Sequence, residues 1–252
     1  MKKYILLLAA ALILPANAKA LNITDPFFMP AQGQIISDTS LGFTNNAFKL
    51  DKSWGLYESL SAGFRDNLMI GLSFGWADIK HEDSGLQDIA IYGKYRFMSE
   101  ISHGRFLDLD VYFSPKMFDS PFNGDEGAAK GSTDFAMHGT IGSTSLLDNF
   151  TLGSRFGFKY MSSTDAMSAG SVWDLTGLAK YYWDDYNSLG FSLGLKGYFG
   201  FEEDFFGFAF GIDYSREIIQ DRFALTPYYN IEKHTKDVTT SAVWGLNARY
   251  LF

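Results

Sequence analysis

The sequence predicts an all-β fold, an antiparallel transmembrane β-barrel of about twelve strands with both termini periplasmic. Apolar and aromatic residues alternate with polar ones along most of the chain, and short turns alternate with longer polar loops. Successive side chains on a strand point to opposite faces, so this alternation describes a sheet with one apolar and one polar face. A barrel in a bilayer needs such a sheet, because its outer wall contacts lipid and its lumen contacts water.

The first 32 residues are not expected to belong to the barrel. Lys2 and Lys3 precede a short apolar run, and Ala16-Asn17-Ala18 offers a small-residue cleavage site, so residues 1–20 are predicted to be a secretory signal peptide. An uncleaved anchor is the alternative. Residues 21–32 contain two prolines and are expected to form a lead-in, lying in the periplasm or in the lumen. The barrel is predicted to occupy residues 33–252.

Composition excludes several classes of protein. After residue 20 no apolar run approaches the roughly 18 residues of a membrane helix, so a helical membrane protein is not expected. The chain has no cysteine, which excludes disulfides and thiolate metal sites. The net charge of −8 argues against nucleic acid as a partner. No cofactor or metal is predicted, because the sequence shows no ligand spacing.

The aromatic residues indicate which face meets lipid. All five tryptophans share the apolar parity and lie mostly near strand ends, where membrane barrels carry aromatic girdles. A soluble sandwich or lipocalin-like barrel would place its aromatic residues inside and its charges outside. The predicted girdle consists of Trp54, Trp76, Trp173, Trp183, Trp244 and Tyr250.

One residue breaks the apolar parity. Glu58 shares the predicted outer face with Leu56 and Leu60. A carboxylate on the lipid face in the middle of the bilayer is costly. We therefore expect a β-bulge at Glu58 or a position near a rim of the barrel.

The opposite parity carries the charges and is predicted to line the lumen. The signs balance, so a strongly selective, one-signed track is not expected, and pairing that braces the wall is the favoured role for most of these residues. Twelve strands leave a narrow or partly occluded passage. The candidate passage residues are Asp88, Lys94, Arg96, Asp108, Asp110, Asp134, His138, Arg155, Lys159, Asp174, Lys180, Lys196, Asp213, Glu232 and Arg249.

No catalytic residue is predicted. A barrel lipase needs serine, histidine and an orienting group in register. Of four histidines only His138 is predicted to lie in a strand, Thr140 rather than serine stands two residues on, and no G-x-S-x-G motif occurs. His81 with Glu82 and Asp83 in a predicted outer loop leaves a barrel protease as an alternative, although a polar loop tip is the simpler interpretation.

The stretch from 84 to 97 reads SGLQDIAIYGKYRF and resembles a segment of outer-membrane proteins of the MetA-pathway-of-phenol-degradation family. In that family a Gly-Leu-Gly-Asp opening precedes an alternating strand that ends in Lys-Tyr-Arg. Gln87 replaces the second glycine, and the matching residues are Gly85, Leu86, Asp88, Lys94, Tyr95 and Arg96. The resemblance covers one loop and one strand, and it implies an outer-membrane barrel that passes small or hydrophobic compounds.

The closing strand, residues 241–252, resembles the assembly signal of outer-membrane barrels. It ends on Phe252 after apolar residues at alternate positions, so the resemblance implies the barrel-assembly machinery as a partner. Phe252 is expected to pair with the weak first strand around Ile35, which would leave no free sheet edge.

The function expected from these patterns is a passive channel or transporter for small molecules, hydrophobic ones included, in the bacterial outer membrane. Its expected partners are outer-membrane lipid, lipopolysaccharide and an unidentified small solute. A non-conducting barrel that acts through its outer loops, as an adhesin or structural protein, is the alternative. A barrel lipase or protease is a third.

Overall fold

The computed structural model describes residues 21–47, 50–79, 84–100, 104–119, 128–144, 146–164, 168–201, 204–235 and 240–252. The predicted signal peptide and the group at residues 81–83 lie outside these ranges. The described chain forms one sheet that curls into a closed barrel. The described residues contain no helix with the length and apolar character needed to cross a membrane.

The sheet contains thirteen strands, all paired antiparallel. They are β1 (Ile35–Ala47), β2 (Leu50–Arg65), β3 (Leu68–Ile79), β4 (Ser84–Leu86), β5 (Ala90–Glu100), β6 (Arg105–Ser114), β7 (Asp134–Ser143), β8 (Phe150–Met161), β9 (Gly170–Tyr182), β10 (Asn187–Phe199), β11 (Phe205–Ile219), β12 (Phe223–His234) and β13 (Ser241–Leu251). The short strand β4 and strand β5 both pair with β3, so together they fill one position in a barrel of twelve.

The barrel closes between its first and last strands. β1 pairs with β2 on one side and with β13 on the other, and the backbone N–H of Phe252 donates to the carbonyl of Ile35 at 2.9 Å. The predicted antiparallel barrel of twelve strands is confirmed, and the first and last strands pair with each other instead of forming two free edges. The periplasmic position of the termini and the assembly role of Phe252 stay predictions.

The two ends of the barrel differ in their connections. At one end, which we call the short-turn end, β1 begins, β13 ends, and the connections include residues 66–67, 183–186 and 220–222. The opposite end, the long-loop end, carries connections such as 115–133 and 162–169. Asn149 and Asp221 adopt left-handed backbone conformations in short turns, with φ of 63° and 56°, which asparagine and aspartate tolerate well.

Large apolar side chains cover the outer wall, while the most deeply buried side chains include polar ones. Leu193 is 67% exposed, whereas Asp108 and Asp134 are 1% and 0% exposed. A soluble domain shows the reverse arrangement. The five tryptophans lie on the outer surface, as expected of a lipid-facing wall.

Glu58 lies near the middle of β2 in regular pairing, opposite Thr39 on β1 and Phe74 on β3. The expectation of a bulge or a rim position is therefore wrong; the register shift between β2 and β3 falls between Gly63 and Arg65. The hydroxyls of Ser37 and Thr39 donate to the two carboxylate oxygens at 2.6 and 2.5 Å. Because β1 supplies both donors, the carboxylate is accommodated without a break in the strand.

Candidate functional site in the lumen

Residues 21–34, which we call the N-terminal segment, lie inside the short-turn end of the barrel. Ile23 and Phe27 are each 1% exposed, and Phe27 stacks on Phe106 of β6 with ring centroids 5.3 Å apart. The backbone of the segment also pairs with Gly63 of β2, since the Gly33 N–H donates to the Gly63 carbonyl at 2.9 Å. A Cβ atom at position 63 would lie 2.1 Å from the Ala31 carbonyl oxygen, so glycine is needed for this approach.

Arg96 on β5 anchors the segment through one carbonyl group. Its guanidinium donates to both oxygens of Asp108 at 2.7 and 2.8 Å, and Nη2 also donates to the carbonyl of Phe27. Arg96 and Asp108 are both buried. A buried, bidentate pair of this kind keeps its arginine fixed in one orientation.

Lys180 on β9 anchors a second carbonyl group. Its ammonium donates to the Thr24 carbonyl at 2.9 Å and to Asp213 at 3.1 Å. Asp25 lies alongside and accepts hydrogen bonds from the Thr151 and Tyr182 hydroxyls at 2.5 and 2.7 Å. Burial raises the pKa of the Asp25 carboxyl, against the opposing effect of these hydrogen bonds.

Arg249 on β13 anchors a third carbonyl group. It donates to Asp38 at 2.7 and 3.1 Å and to the Ile23 carbonyl at 2.7 Å. Glu217 on β11 accepts a hydrogen bond from the Ile23 N–H at 3.2 Å. The segment is therefore held through both donors and acceptors of its backbone, which leaves few buried polar groups unsatisfied.

Three cations make the same two contacts, and we call them the cation clamp: Arg96, Lys180 and Arg249. Each cation pairs with a carboxylate on the wall and donates to a carbonyl of the N-terminal segment. They stand on β5, β9 and β13, which are spaced at thirds around the twelve positions of the barrel. Contacts spread around the wall in this way hold the segment across the short-turn end, not against one side.

Beyond the segment, charged pairs continue along the lumen wall. Asp174 on β9 lies 3.5 Å from Arg155 and 3.7 Å from His138, and Lys94 lies 3.5 Å from Asp110. Nearer the long-loop end, Asp134 accepts from Lys159 at 2.7 Å and from Lys130 at 3.3 Å. Both signs are paired here, as the balanced charge of the sequence predicts.

Glu232 forms another cluster at the long-loop end of β12. Its carboxylate accepts from Lys196 at 2.5 Å and from the Tyr198 hydroxyl, and it lies 3.0 Å from His234 Nε2. His234 ends β12 and is buried. The prediction that only His138 lies in a strand is therefore wrong. Lys233 and Thr235, the polar neighbours of His234, made that histidine resemble a loop residue.

In three of these pairs the base is more exposed than the acid, whereas Lys94 and Asp110 show the reverse order, 16% and 32%. Side-chain exposures for base and acid are 29% and 0% for Lys159 and Asp134, 40% and 10% for Arg155 and Asp174. The pair of Lys196 and Glu232 shows the same order, 29% and 15%. Around Asp134, Asp174 and Glu232 the accessible surface is therefore more positive than the residue count suggests.

Tyrosines line other parts of the lumen wall. The Tyr92 hydroxyl lies 2.5 Å from that of Ser59, and the Tyr228 hydroxyl lies 3.3 Å from that of Ser40. Tyr57 lies over Gly75 on β3, where a Cβ atom would stand 2.5 Å from the ring. These rings and hydroxyls provide an uncharged polar surface beside the paired charges.

The structure brings most of the predicted passage residues together inside the barrel, but it gives Asp88 a different position. Asp88 lies between β4 and β5 and accepts from the backbone N–H groups of Met117 and Phe118 at 2.7 and 3.0 Å. It therefore holds the described part of the 115–133 loop in place. Among the described residues, no three His, Asp or Glu side chains converge as metal ligands would.

Among the residues that the structure describes, four charged residues of the lumen were not predicted. Asp38 and Glu217 have the inward parity of their strands, so the alternation could have identified them. Asp25 and Lys130 lie outside any strand, where a sequence offers no alternation to show which way a side chain points.

Solved structures that match most of this chain include outer-membrane proteins. A COG4313 outer membrane channel from Pseudomonas putida F1 matches with a TM-score of 0.70 at 13% identity, over 92% of this chain and 100% of that one. The fold is that of an outer-membrane β-barrel. NanC porin matches with a TM-score of 0.59 at 9% identity and KdgM porin with 0.55 at 11%, each over 85% of this chain and 98% of the other. The chain matches no protein-family model and no curated relative.

Proposed function

We propose that the protein is a passive channel of the bacterial outer membrane that admits small polar solutes, anions in preference to cations. The long-loop end faces outward and the short-turn end faces the periplasm, as in barrels of this kind. The observation that carries the proposal is that Lys159, Arg155 and Lys196 are each more exposed than the acid they pair with. A narrow lumen with a positive accessible surface lowers the energy of an entering anion.

The selectivity can be measured from the reversal potential across a planar bilayer with a KCl gradient. Wild-type protein is expected to favour chloride. The double substitution Lys130→Gln and Lys159→Gln removes both bases that neutralise Asp134, so the reversal potential should move toward potassium. Arg216→Gln, which removes an exposed base on the outer wall, is the matched control. An unchanged potential in the double variant would contradict the proposal.

The second candidate function is a non-conducting barrel that acts through its outer loops. The N-terminal segment favours it, because this segment fills the short-turn end and is tied to strands around the wall. Liposome uptake of small sugars and amino acids separates the two functions: a conducting barrel swells the liposomes, and a sealed one leaves them unchanged. The three structures named above are described as a channel and porins, so they give no support to the third alternative, a barrel lipase or protease.

A further inference from the structure

An apolar groove of about 540 Å³ runs along the outer wall over β8 to β12. It lies on the lipid-facing side, because most of its side chains share the outward parity of their strands. Its floor is low where Ser154 and Gly177 face outward among much larger neighbours. The bulky side chains that line it are Leu175, Leu193, Leu195, Phe208, Phe210 and Ile231.

Strand register explains the shape of the groove. Ser154 on β8 pairs with Gly177 on β9, and Gly177 pairs with Leu193 on β10. A Cβ atom at position 177 would come no closer than 3.9 Å to the Leu193 carbonyl oxygen. The space above Gly177 is therefore open and large enough to accept a side chain, or an acyl chain of comparable width.

One cation stands at the long-loop end of the groove. Lys233 lines it, is exposed, and is the residue before the end of β12. It pairs across the strands with Phe208, and within the described chain its ammonium forms no ion pair. A lysine at the edge of the apolar belt lies at the depth of lipid head groups and attracts their phosphates.

We propose that this groove binds lipid A, with an acyl chain over Gly177 and a phosphate group against Lys233. Lipid A is chosen because it occupies the outer leaflet, and the position of the long-loop end in that leaflet rests on the proposed function. The combination of an apolar groove with Lys233, which forms no ion pair within the described ranges, fits a molecule that is both acylated and anionic. A water-soluble ligand would have no route to a surface that opens into the hydrocarbon.

Native mass spectrometry of the folded protein with added lipid A tests the site. Lys233→Gln should weaken binding about fivefold, the effect of one basic residue near an anionic lipid surface. Gly177→Phe should abolish the bound species, because its ring fills the groove. The matched controls are Gly139→Phe and Arg216→Gln: Gly139 also faces outward with nothing within 4 Å of its Cβ position, and Arg216 is an exposed base near the short-turn end.

Each outcome bears on the proposal. Equal binding by wild type and Gly177→Phe, or equal loss in Gly139→Phe, would overturn the assignment to this groove. Diacylglycerol, which has no phosphate, would disprove the phosphate contact if it bound as tightly as lipid A, and equal binding of phosphatidylglycerol would assign the groove to a phospholipid instead. Conductance should be unchanged in all four variants, so a failure of the lipid site is distinguishable from a failure of the channel.

Discussion

Two hydroxyl groups on β1 determine whether Glu58 can face lipid. Each donates to one oxygen of the carboxylate, so the charge is hydrogen-bonded within the wall instead of facing hydrocarbon alone. A buried group that loses its partners costs about 1–3 kcal/mol, and more when it is charged. The stability of this part of the wall therefore depends on the set of three residues and not on Glu58 alone.

We expect the double substitution Ser37→Ala and Thr39→Val to lower the free energy of unfolding by at least about 1–3 kcal/mol. Adding Glu58→Leu to that variant should restore most of the loss, because the carboxylate that needed the donors is gone. Urea unfolding in lipid vesicles, followed by tryptophan fluorescence, measures both. A triple variant that is less stable than the double variant would show that the two hydroxyls do not act by stabilising the Glu58 carboxylate.

Asp25 makes the position of the N-terminal segment dependent on pH. Burial raises the pKa of the Asp25 carboxyl when the segment is docked. In the undocked segment the pKa of this carboxyl is about 3.9, so the docked state keeps its proton to higher pH. The protonated Asp25 carboxyl therefore stabilises the docked segment fully below pH about 3.9, and this stabilisation is lost as the pH rises through the raised pKa. Conductance should therefore be lowest in acid, and Asp25→Asn should remove this dependence; a wild-type conductance that rises on acidification would contradict the sign.

At the scale of elements, the N-terminal segment and the strand ends around it form one unit. The segment has little regular structure of its own, and it is held by the cation clamp, by Glu217 and by the pairing with Gly63. The clamp cations act twice, once on a carboxylate of the wall and once on a carbonyl of the segment. Loss of one cation therefore weakens both the barrel and the docking of the segment.

Substitutions in the cation clamp should lower the free energy of unfolding by different amounts, according to how buried each ion pair is. Arg96→Met leaves Asp108 buried without its partner, which should destabilise the barrel by about 3–5 kcal/mol. Arg249→Met should cost less, because Arg249 and Asp38 are 27% and 22% exposed and water can reach the carboxylate. Midpoints of urea unfolding compare the two. Equal losses would show that burial does not set the strength of these pairs.

At the scale of the whole molecule, the alternation of residue types was sufficient to predict the barrel, its closure and its outer face. Each strand has one lipid-facing side, so apolar residues recur at every second position of the sequence. The same pattern could not place Asp25 or Lys130, which lie outside strands, and it could not show that Ser37 and Thr39 stand beside Glu58. Contacts across strands depend on register, which the sequence of one strand does not contain.

The exposure of the lumen bases follows from the whole barrel and not from any one strand. Asp134 on β7 is reached by Lys159 from β8 and by Lys130 from the adjoining loop. Two cations therefore cover one acid, and the acid is withdrawn from the lumen surface. A count of charges along the chain gives balance, whereas at Asp134 the folded arrangement exposes the two bases and buries the acid.

The central claim is that the barrel is a channel whose short-turn end is narrowed by the N-terminal segment. The most direct test is single-channel conductance in planar bilayers of the mature protein and of a variant without residues 21–34, each shown to be folded by its heat-dependent shift on a gel. We expect a small conductance for the mature protein and a clearly larger one, with fewer closed periods, for the shortened variant. Folded barrels of both kinds that carry no current would contradict the account.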